Sequence, residues 1–382
     1  MCWPDRDKSA RGDQRKRRSI VAITITGTDQ KQAWVDKVLP PIEQVRPRVW
    51  SIPITFDDNP VRYTLCYLLA GDHGQCVVID PGWDSDDGWR QLLDGLNRAG
   101  LTLQSVVGIV VTHLHIDHLG MVHRLAEATG AWVGMHPRES HALDEFTGES
   151  SADDRAWLLR CGVPADRLDS LLVTSAQLDY LARLARPTLL LEHGDTVPLP
   201  GRNVKVCATP GHTAGHICII DVDSELIFTG DHVLPRITPN VGLGPNAGTR
   251  NALAEYYQSL QLMPQWDGFE VCPAHEYRFT GLAGRAGDLK THHEERAQEI
   301  LNVLTATPEL TLWEIAKRLT WSRGWASLDG TNLRSALAET LAHVEYLAAQ
   351  GQLFWGAPDP QFDASWVATV THTNSPYADE PS

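Results

Sequence analysis

The sequence has no run that approaches the roughly 20 uninterrupted apolar residues of a membrane span. Its first segment also has no apolar middle of the kind a secretory signal carries. Both absences lead to the expectation of a soluble, cytoplasmic protein that does not engage a membrane. Basic charge is scarce, with 33 Lys and Arg against 48 Asp and Glu and a formal net charge of −15. Residues 1–18 run the other way, with seven Lys/Arg against three Asp/Glu, so the remainder carries 26 against 45. Such an acidic body is a poor partner for phosphate backbones or anionic lipid, and the basic run at Arg15, Lys16, Arg17 and Arg18 reads as a solvated terminus. The seven cysteines are odd in number, contain no CxxC pair and mostly sit among apolar neighbours, as reduced buried thiols do. No GxSxG segment is present, so a serine nucleophile elbow is not expected. The 30 Gly and 23 Pro follow no period, which excludes collagen-like and low-complexity chains.

What is present is a globular chain: 382 residues, 42% of them hydrophobic, enough for two domains or for one large domain with an appendage. Residues 49 to 56, 63 to 70 and 75 to 79 read as strands, the last stopped by Asp80-Pro81-Gly82. Trp89, Leu92, Leu93 and Leu96 recur at helical spacing, and 106 to 111 is an apolar run of the kind a strand covered on both faces carries. A helix is expected over 117 to 129 and a strand over 131 to 135. Residues 138 to 186 read as a helical insert, and strands resume at 189 to 191, 204 to 208, 217 to 222 and 226 to 228. Beyond about 288 the helical stretches 289 to 305, 311 to 319 and 331 to 349 precede a short strand at 352 to 355. Thr311 with Glu314 three residues on has capping-box spacing. The expected division is an N-terminal extension over 1–45, partly disordered, a catalytic domain over 46–288, a small C-terminal domain over 289–356 and a loose tail over 357–382.

The histidines are not scattered at random. Thr112-His113-Leu114-His115-Ile116-Asp117-His118 follows the buried strand at 106 to 111. On an extended strand end His113 and His115 point to one side, while Asp117 and His118 come off the turn into a helix. Imidazoles and a carboxylate gathered beside a buried strand are costly unless a cation binds them. Three further segments, Gly211-His212-Thr213, Gly230-Asp231-His232 and Cys272-Pro273-Ala274-His275-Glu276-Tyr277, also follow strands. Loops at strand ends are where a sheet holds its ligands and catalytic groups.

The HxHxDH segment at 113 to 118, Gly-His-Thr at 211 to 213, Gly-Asp at 230 and 231 and His275, in this order and spacing, resemble the metallo-β-lactamase superfamily of metal-dependent hydrolases over residues 50 to 285. The resemblance implies an α+β fold: an αββα sandwich of two mixed sheets flanked by helices. It implies that His113, His115 and His212 hold one divalent ion, that Asp117, His118 and His275 hold a second, and that Asp231 bridges them. Asp80 matches the family's carboxylate behind the ligands, and His216 and His232 adjoin the site. Imidazole and carboxylate donors suit zinc first, with manganese or iron as alternatives. Two ions about 3.5 to 4 Å apart can share a hydroxide, the nucleophile expected here, which Asp117 would orient or deprotonate.

His275-Glu276-Tyr277 is similar to the last ligand segment of glyoxalase II enzymes, where the tyrosine helps hold the thiol part of a thioester, so Tyr277 is a candidate for a substrate pocket, and His232, which adjoins the site in sequence, is another. Residues 289 to 356 and the run at 230 to 240 look like the LACTB2-like branch, which carries a winged-helix-like C-terminal domain. The expected activity is hydrolysis of an acyl bond, a thioester or lactone of a small molecule. One alternative is an RNA phosphodiesterase of the same superfamily; another is an iron-dependent oxidase or dioxygenase on the same scaffold. Lys317, Arg318, Arg323 and Arg334 are outnumbered by carboxylates along the C-terminal helices, so nucleic acid is the weaker partner. Phe146, Trp157, Leu158, Leu159 and Tyr180 of the insert are expected to form an apolar wall above the ions, or a contact in a homodimer. The C-terminal domain is expected to close another wall.

Overall fold

Tyr63–Ala70 is buried at all eight positions. Side chains alternate across a strand, so this one must be covered twice. Tyr63, Leu65, Tyr67 and Leu69 share a cluster with Val206, Ile219 and Phe228, whereas Cys66 and Leu68 join Leu92, Leu96 and Leu125. One face therefore meets a second sheet and the other meets helices. Ile217–Asp221 repeats the pattern from the opposite side. There Ile217 and Ile219 face the first sheet, and Cys218 and Ile220 face a cluster that includes Leu253, Leu260 and Leu337. The layers are helix, sheet, sheet, helix.

The structure is a computed structural model that describes residues 23–56, 59–145, 150–174, 183–245, 247–356 and 367–370. The basic run at 15–18, Phe146 and Tyr180 lie outside them. The first half comprises β1 (Thr24–Ile25), α1 (Thr28–Asp36), β2 (Glu43–Arg46), β3 (Val49–Thr55), β4 (Tyr63–Ala70), β5 (Cys76–Ile79), α2 (Asp86–Arg98), β6 (Val106–Val110), α3 (Ile116–Leu119), α4 (Val122–Thr129) and β7 (Trp132–Met135). The insert carries α5 (Pro137–Asp144), α6 (Ser150–Arg160) and α7 (Ala165–Leu168). Then come β8 (Leu189–Leu190), β9 (Val204–Ala208), β10 (Ile217–Asp221), β11 (Leu226–Gly230), α8 (Ala252–Leu262), β12 (Glu270–Pro273) and β13 (Phe279–Thr280). The last part holds α9 (Leu282–Ala306), β14 (Leu310–Thr311), α10 (Leu312–Arg318), α11 (Gly330–Ala349), β15 (Leu353–Gly356) and β16 (Val367–Val370).

The first sheet runs β2-β3-β4-β5-β6-β7-β8 and the second β1-β13-β12-β11-β10-β9. Both are mixed. β5, β6 and β7 are parallel neighbours in one, and β11 and β12 are parallel in the other. Parallel strands end at the same edge, so their following loops gather there. A third antiparallel sheet, β14-β16-β15, closes the C-terminal part.

Four features differ from the sequence reading. The segment before residue 46 contributes to both sheets: β1 pairs with β13 and β2 with β3. The helix expected over 117 to 129 is two, because the Met121 N–H bonds the Gly82 carbonyl at 2.9 Å and turns the chain between α3 and α4. The tail expected to be loose from 357 contains β16, which pairs with both β14 and β15. Among the described residues, the apolar side chains expected to form the insert's wall, Trp157, Leu158 and Leu159, are not turned toward the site. Trp157 and Leu158 are buried in the cluster that holds Leu337 and Leu341, and Leu159 is exposed. No helix among the described residues is long and apolar enough to cross a membrane.

Candidate metal centre

The parallel ends of β5 and β6 deliver Asp80 and the 112–118 turn side by side. Asp80 is buried and takes a left-handed backbone at φ 49°. Its carboxylate accepts the Thr112 N–H at 2.8 Å, the Thr112 hydroxyl at 2.7 Å and His118 Nδ1–H at 2.9 Å. With its own proton given to Asp80, the Thr112 oxygen accepts from His113 Nδ1 at 3.0 Å. Both imidazoles are thereby fixed with Nε2 facing inward.

The second sheet supplies the rest. Between β9 and β10 the chain turns through Gly211 at φ 147°, where a Cβ would lie 2.5 Å from the Cβ of Tyr256, so no side chain fits. His212 follows, its Nδ1–H donating to the Asn240 carbonyl at 2.6 Å. β11 delivers Asp231 and β12 delivers His275, whose Nδ1–H donates to the Tyr63 carbonyl at 2.9 Å. The Tyr67 hydroxyl bonds the Pro273 carbonyl at 2.8 Å and the Tyr63 hydroxyl bonds that of Glu276 at 2.9 Å, stitching this segment to β4.

All seven candidate ligands meet at this edge. Ligand atoms of His113, His115, His212 and Asp231 lie within 4.8 Å of one another, as do those of Asp117, His118 and His275. His113 Nε2 is 3.0 Å from His115 Nδ1, and His212 Nε2 is 3.3 Å from the former and 3.0 Å from the latter. Asp231 lies between the sets: Oδ2 is 3.7 Å from His212 Nε2, and Oδ1 is 3.3 Å from His275 Nε2 and 3.7 Å from His118 Nε2. Asp117 Oδ2 stands 3.4 Å from His275 Nε2.

The donors fit a pair of cations. His113 and His212 have committed their Nδ1 protons outward, so among the three crowded nitrogens of the first set only His115 Nδ1 can carry a hydrogen, and His113 Nε2 and His212 Nε2 face each other at 3.3 Å as two acceptors. His118 Nε2 and Asp231 Oδ1 are buried without a hydrogen-bond partner, which is costly unless a positive charge sits between them. Burial, then the neighbouring imidazoles, hold His113 well below 6.5. Burial and then His212 bring His115 down to about 3, and burial lowers His212. These three therefore offer lone pairs. In the second set burial opposes the charge, but Asp231 and Asp117 outweigh it and hold His275 well above 6.5. Burial is likewise outweighed at His118, by Asp117 and Asp80, and its pKa is raised. At Asp117 burial is overcome by His118 and His275, leaving its carboxyl at about 2. Burial is overcome in the same way at Asp231, chiefly by His275 and His118, which leave its carboxyl well below 3.8.

A cavity of about 930 Å³ opens on His115 and His212, with Leu114, Arg138, His141, Pro245 and Arg250 in its walls. Neither Tyr277 nor His232 lines it. His232 is fully buried beneath the site, its ring 5.2 Å from that of Tyr256; it points into the core because the chain has already turned inward after Asp231. Tyr277 is 6% exposed and, two residues past His275, is carried away from this opening. The C-terminal residues are also absent from these walls and line instead a neighbouring cavity of about 600 Å³ through Leu341, Glu345 and Ala349. The sequence reading missed Glu139, Arg138 and Arg250. Glu139 accepts the Leu114 N–H and the Gly215 N–H, and Arg138 and Arg250 both pair with Glu255. No local motif marks any of them.

A family model for the metallo-beta-lactamase superfamily matches residues 59–275. Hydroxyacylglutathione hydrolase from Serratia proteamaculans (strain 568) is 26% identical over 258 residues, which cover 67% of this chain and 77% of that protein. Acyl-coenzyme A thioesterase MBLAC2 from Homo sapiens is 31% identical over 179 residues, covering 44% of this chain and 57% of its own length. The crystal structure of a metallo-beta-lactamase family protein from Thermus thermophilus superposes with a TM-score of 0.71 at 25% identity, covering 86% of this chain and 100% of that one. A beta-lactamase domain protein from Burkholderia ambifaria shares the fold with a TM-score of 0.75 at 24% identity, over 91% and 98% of the two chains.

Proposed function

The chain belongs to the metallo-beta-lactamase superfamily, and we propose that it hydrolyses the acyl bond of a small-molecule thioester, with a lactone as the related substrate. The observation that carries this reading is Asp231 standing between two sets of inward-facing donors, beside a cavity large enough for a small molecule. His113, His115 and His212 would hold one divalent ion and Asp117, His118 and His275 the other, with one Asp231 oxygen toward each. The mixed donors favour zinc over manganese or iron. Such a pair supplies water whose pKa is drawn toward neutrality, and positive charge for a developing oxyanion.

The chain's own residues do the rest. Asp117 and Asp231 have side chains 14% and 13% exposed, where those of His118 and His275 are 0% and 2%. Asp231 is shared between the two sets of donors, so Asp117 is the carboxylate assigned to orient an incoming water and take its proton. That proton then passes to the departing thiol, so that one water and one thioester become an acid and a thiol. Asp80 and the Asn240 and Tyr63 carbonyls hold the imidazoles in place for repeated turnover. Hydroxyacylglutathione hydrolase and acyl-coenzyme A thioesterase among the relatives support a thioester.

RNA is disfavoured because Arg138 and Arg250 in the cavity wall are both engaged by Glu255. Among the described residues, six free, buried cysteines support a cytoplasmic setting. The C-terminal order of three helices with a three-stranded sheet supports the winged-helix-like reading. Elemental analysis paired with a panel of thioesters, lactones, phosphodiesters and β-lactams tests the proposal. Thioester turnover that a chelator removes is expected; a preference for phosphodiesters, or stoichiometric iron with oxygen uptake, would overturn it.

A further inference from the structure

The Asn240 carbonyl that orients His212 belongs to a segment held from the C-terminal part of the chain. Asn240 Nδ2 donates to the Ser335 carbonyl at 3.2 Å and to Glu339 Oε2 at 3.2 Å. Two residues on, Gly242 passes so close to α11 that a Cβ there would lie 2.8 Å from that of Ala338. The Leu243 N–H donates to the Ala338 carbonyl at 3.1 Å. Val241 and Leu243 are buried in one cluster with Leu337 and Leu341. Glu339 is itself held, its Oε1 3.7 Å from Arg296 of α9, and its side chain is 14% exposed. A chain of contacts thus leads from the middle of α11 through one asparagine to a candidate ligand.

We propose that α11 is a positioning element of the metal centre: Glu339 and Ser335 fix Asn240, whose carbonyl fixes the tautomer and reach of His212. The inference rests on the ligand assignment given under the proposed function. An imidazole donating Nδ1–H to a fixed carbonyl keeps its Nε2 lone pair directed at the cation. Once the amide anchor is gone, the 240–243 segment can shift, and His212 loses its fixed acceptor while His113, His118 and His275 keep theirs. The C-terminal domain is then not an independent module beside a hydrolase but a part without which one ion is held poorly. Asn240 and Glu339 touch neither ion nor substrate, so their role is indirect and specific to one of the two sets.

The test uses the full chain loaded with Co²⁺, comparing wild type with Asn240→Ala, Glu339→Ala, Glu339→Gln and His212→Ala. Affinity for each ion is measured by chelator competition, the ligand field by visible absorption, and folding by circular dichroism. Asn240→Ala and Glu339→Ala are expected to weaken one ion by about 10- to 100-fold, with an altered cobalt spectrum and the second ion unchanged. Glu339→Gln still offers an oxygen to the Asn240 amide and is expected to restore wild-type binding. If Asn240→Ala fails to fold, the two Glu339 variants decide alone. Wild-type affinity and spectrum in Glu339→Ala, with one ion lost in His212→Ala, would overturn the inference and leave the metal centre standing. Two ions held at wild-type affinity by His212→Ala would overturn the ligand assignment itself.

Discussion

Glu139 Oε2 accepts the N–H of Leu114 at 2.7 Å, a bond that reaches from the insert helix α5 into the turn between His113 and His115. Its other oxygen accepts the Gly215 N–H at 2.5 Å, next to the loop that carries His212. One wholly buried carboxylate thus ties together the two loops that bear His113, His115 and His212. Burial raises its pKa, against the bonds from Gly215 and Leu114.

Replacing Glu139 by Ala strands the buried Gly215 amide and the part-buried Leu114 amide. Each such loss costs about 1–3 kcal/mol, so the urea midpoint is expected to fall clearly and turnover with it. A midpoint equal to wild type would show that these amides find other partners.

His115→Ala and Asp231→Ala each remove a donor from the centre while leaving the sheets that frame it intact. Both are expected to stay soluble and folded, to contain less metal and to lose turnover. Full activity in either variant would remove the mechanism proposed here.

Deleting 290–382 takes away Leu333, Leu337 and Leu341, which share a cluster with Trp157, Leu253 and Tyr257. That face of the hydrolase layer would be exposed to water. Loss of soluble protein is expected on expression, and a truncated chain that is monomeric with an unchanged melting temperature would contradict this packing.

His293 Nδ1–H donates to His343 Nε2 at 3.2 Å, and His343 Nδ1–H donates to the Glu339 carbonyl at 2.8 Å. Burial, then His343, His292 and Arg296, hold His293 well below 6.5. Burial also brings His343 to about 4, with Arg296 and His292 adding to it and the Glu339 carbonyl opposing. Between 6.5 and about 4 the folded chain binds fewer protons here than the unfolded chain, so stability falls as pH falls through that window and is flat above it. Thermal melts from about pH 7 to about pH 5 should show a shallower decline for His343→Gln than for wild type. Equal slopes would mean that this pair does not titrate on unfolding.

Much of the sandwich is legible in the sequence because burial on both faces leaves a continuous apolar run, and Val106–Val110 and Tyr63–Ala70 are such runs. β1, β8 and β14 are two residues each, too short to carry a period, and the sequence reading contains neither β1 nor β14. β16 is not legible either, because its four residues are too few to carry a period and one of its two partners, β14, lies before α10 and α11 in the chain. Trp157 reads as a cleft residue because an apolar side chain on a helix does not declare which surface it will meet. The structure seats it against α11.

The sequence alone determined which residues are competent to bind cations and that each follows a strand, since donor chemistry and strand alternation are properties of the local chain. Only the tertiary structure decided which nitrogen of each imidazole faces inward and what holds it there. The Glu139–Leu114 bond spans 25 residues, the His212–Asn240 bond 28 and the Asn240–Glu339 bond 99. Bonds between segments so distant depend on how layers stack, and a hydrogen bond to a backbone amide or carbonyl can be made by almost any residue, so it leaves no mark in the order of the amino acids.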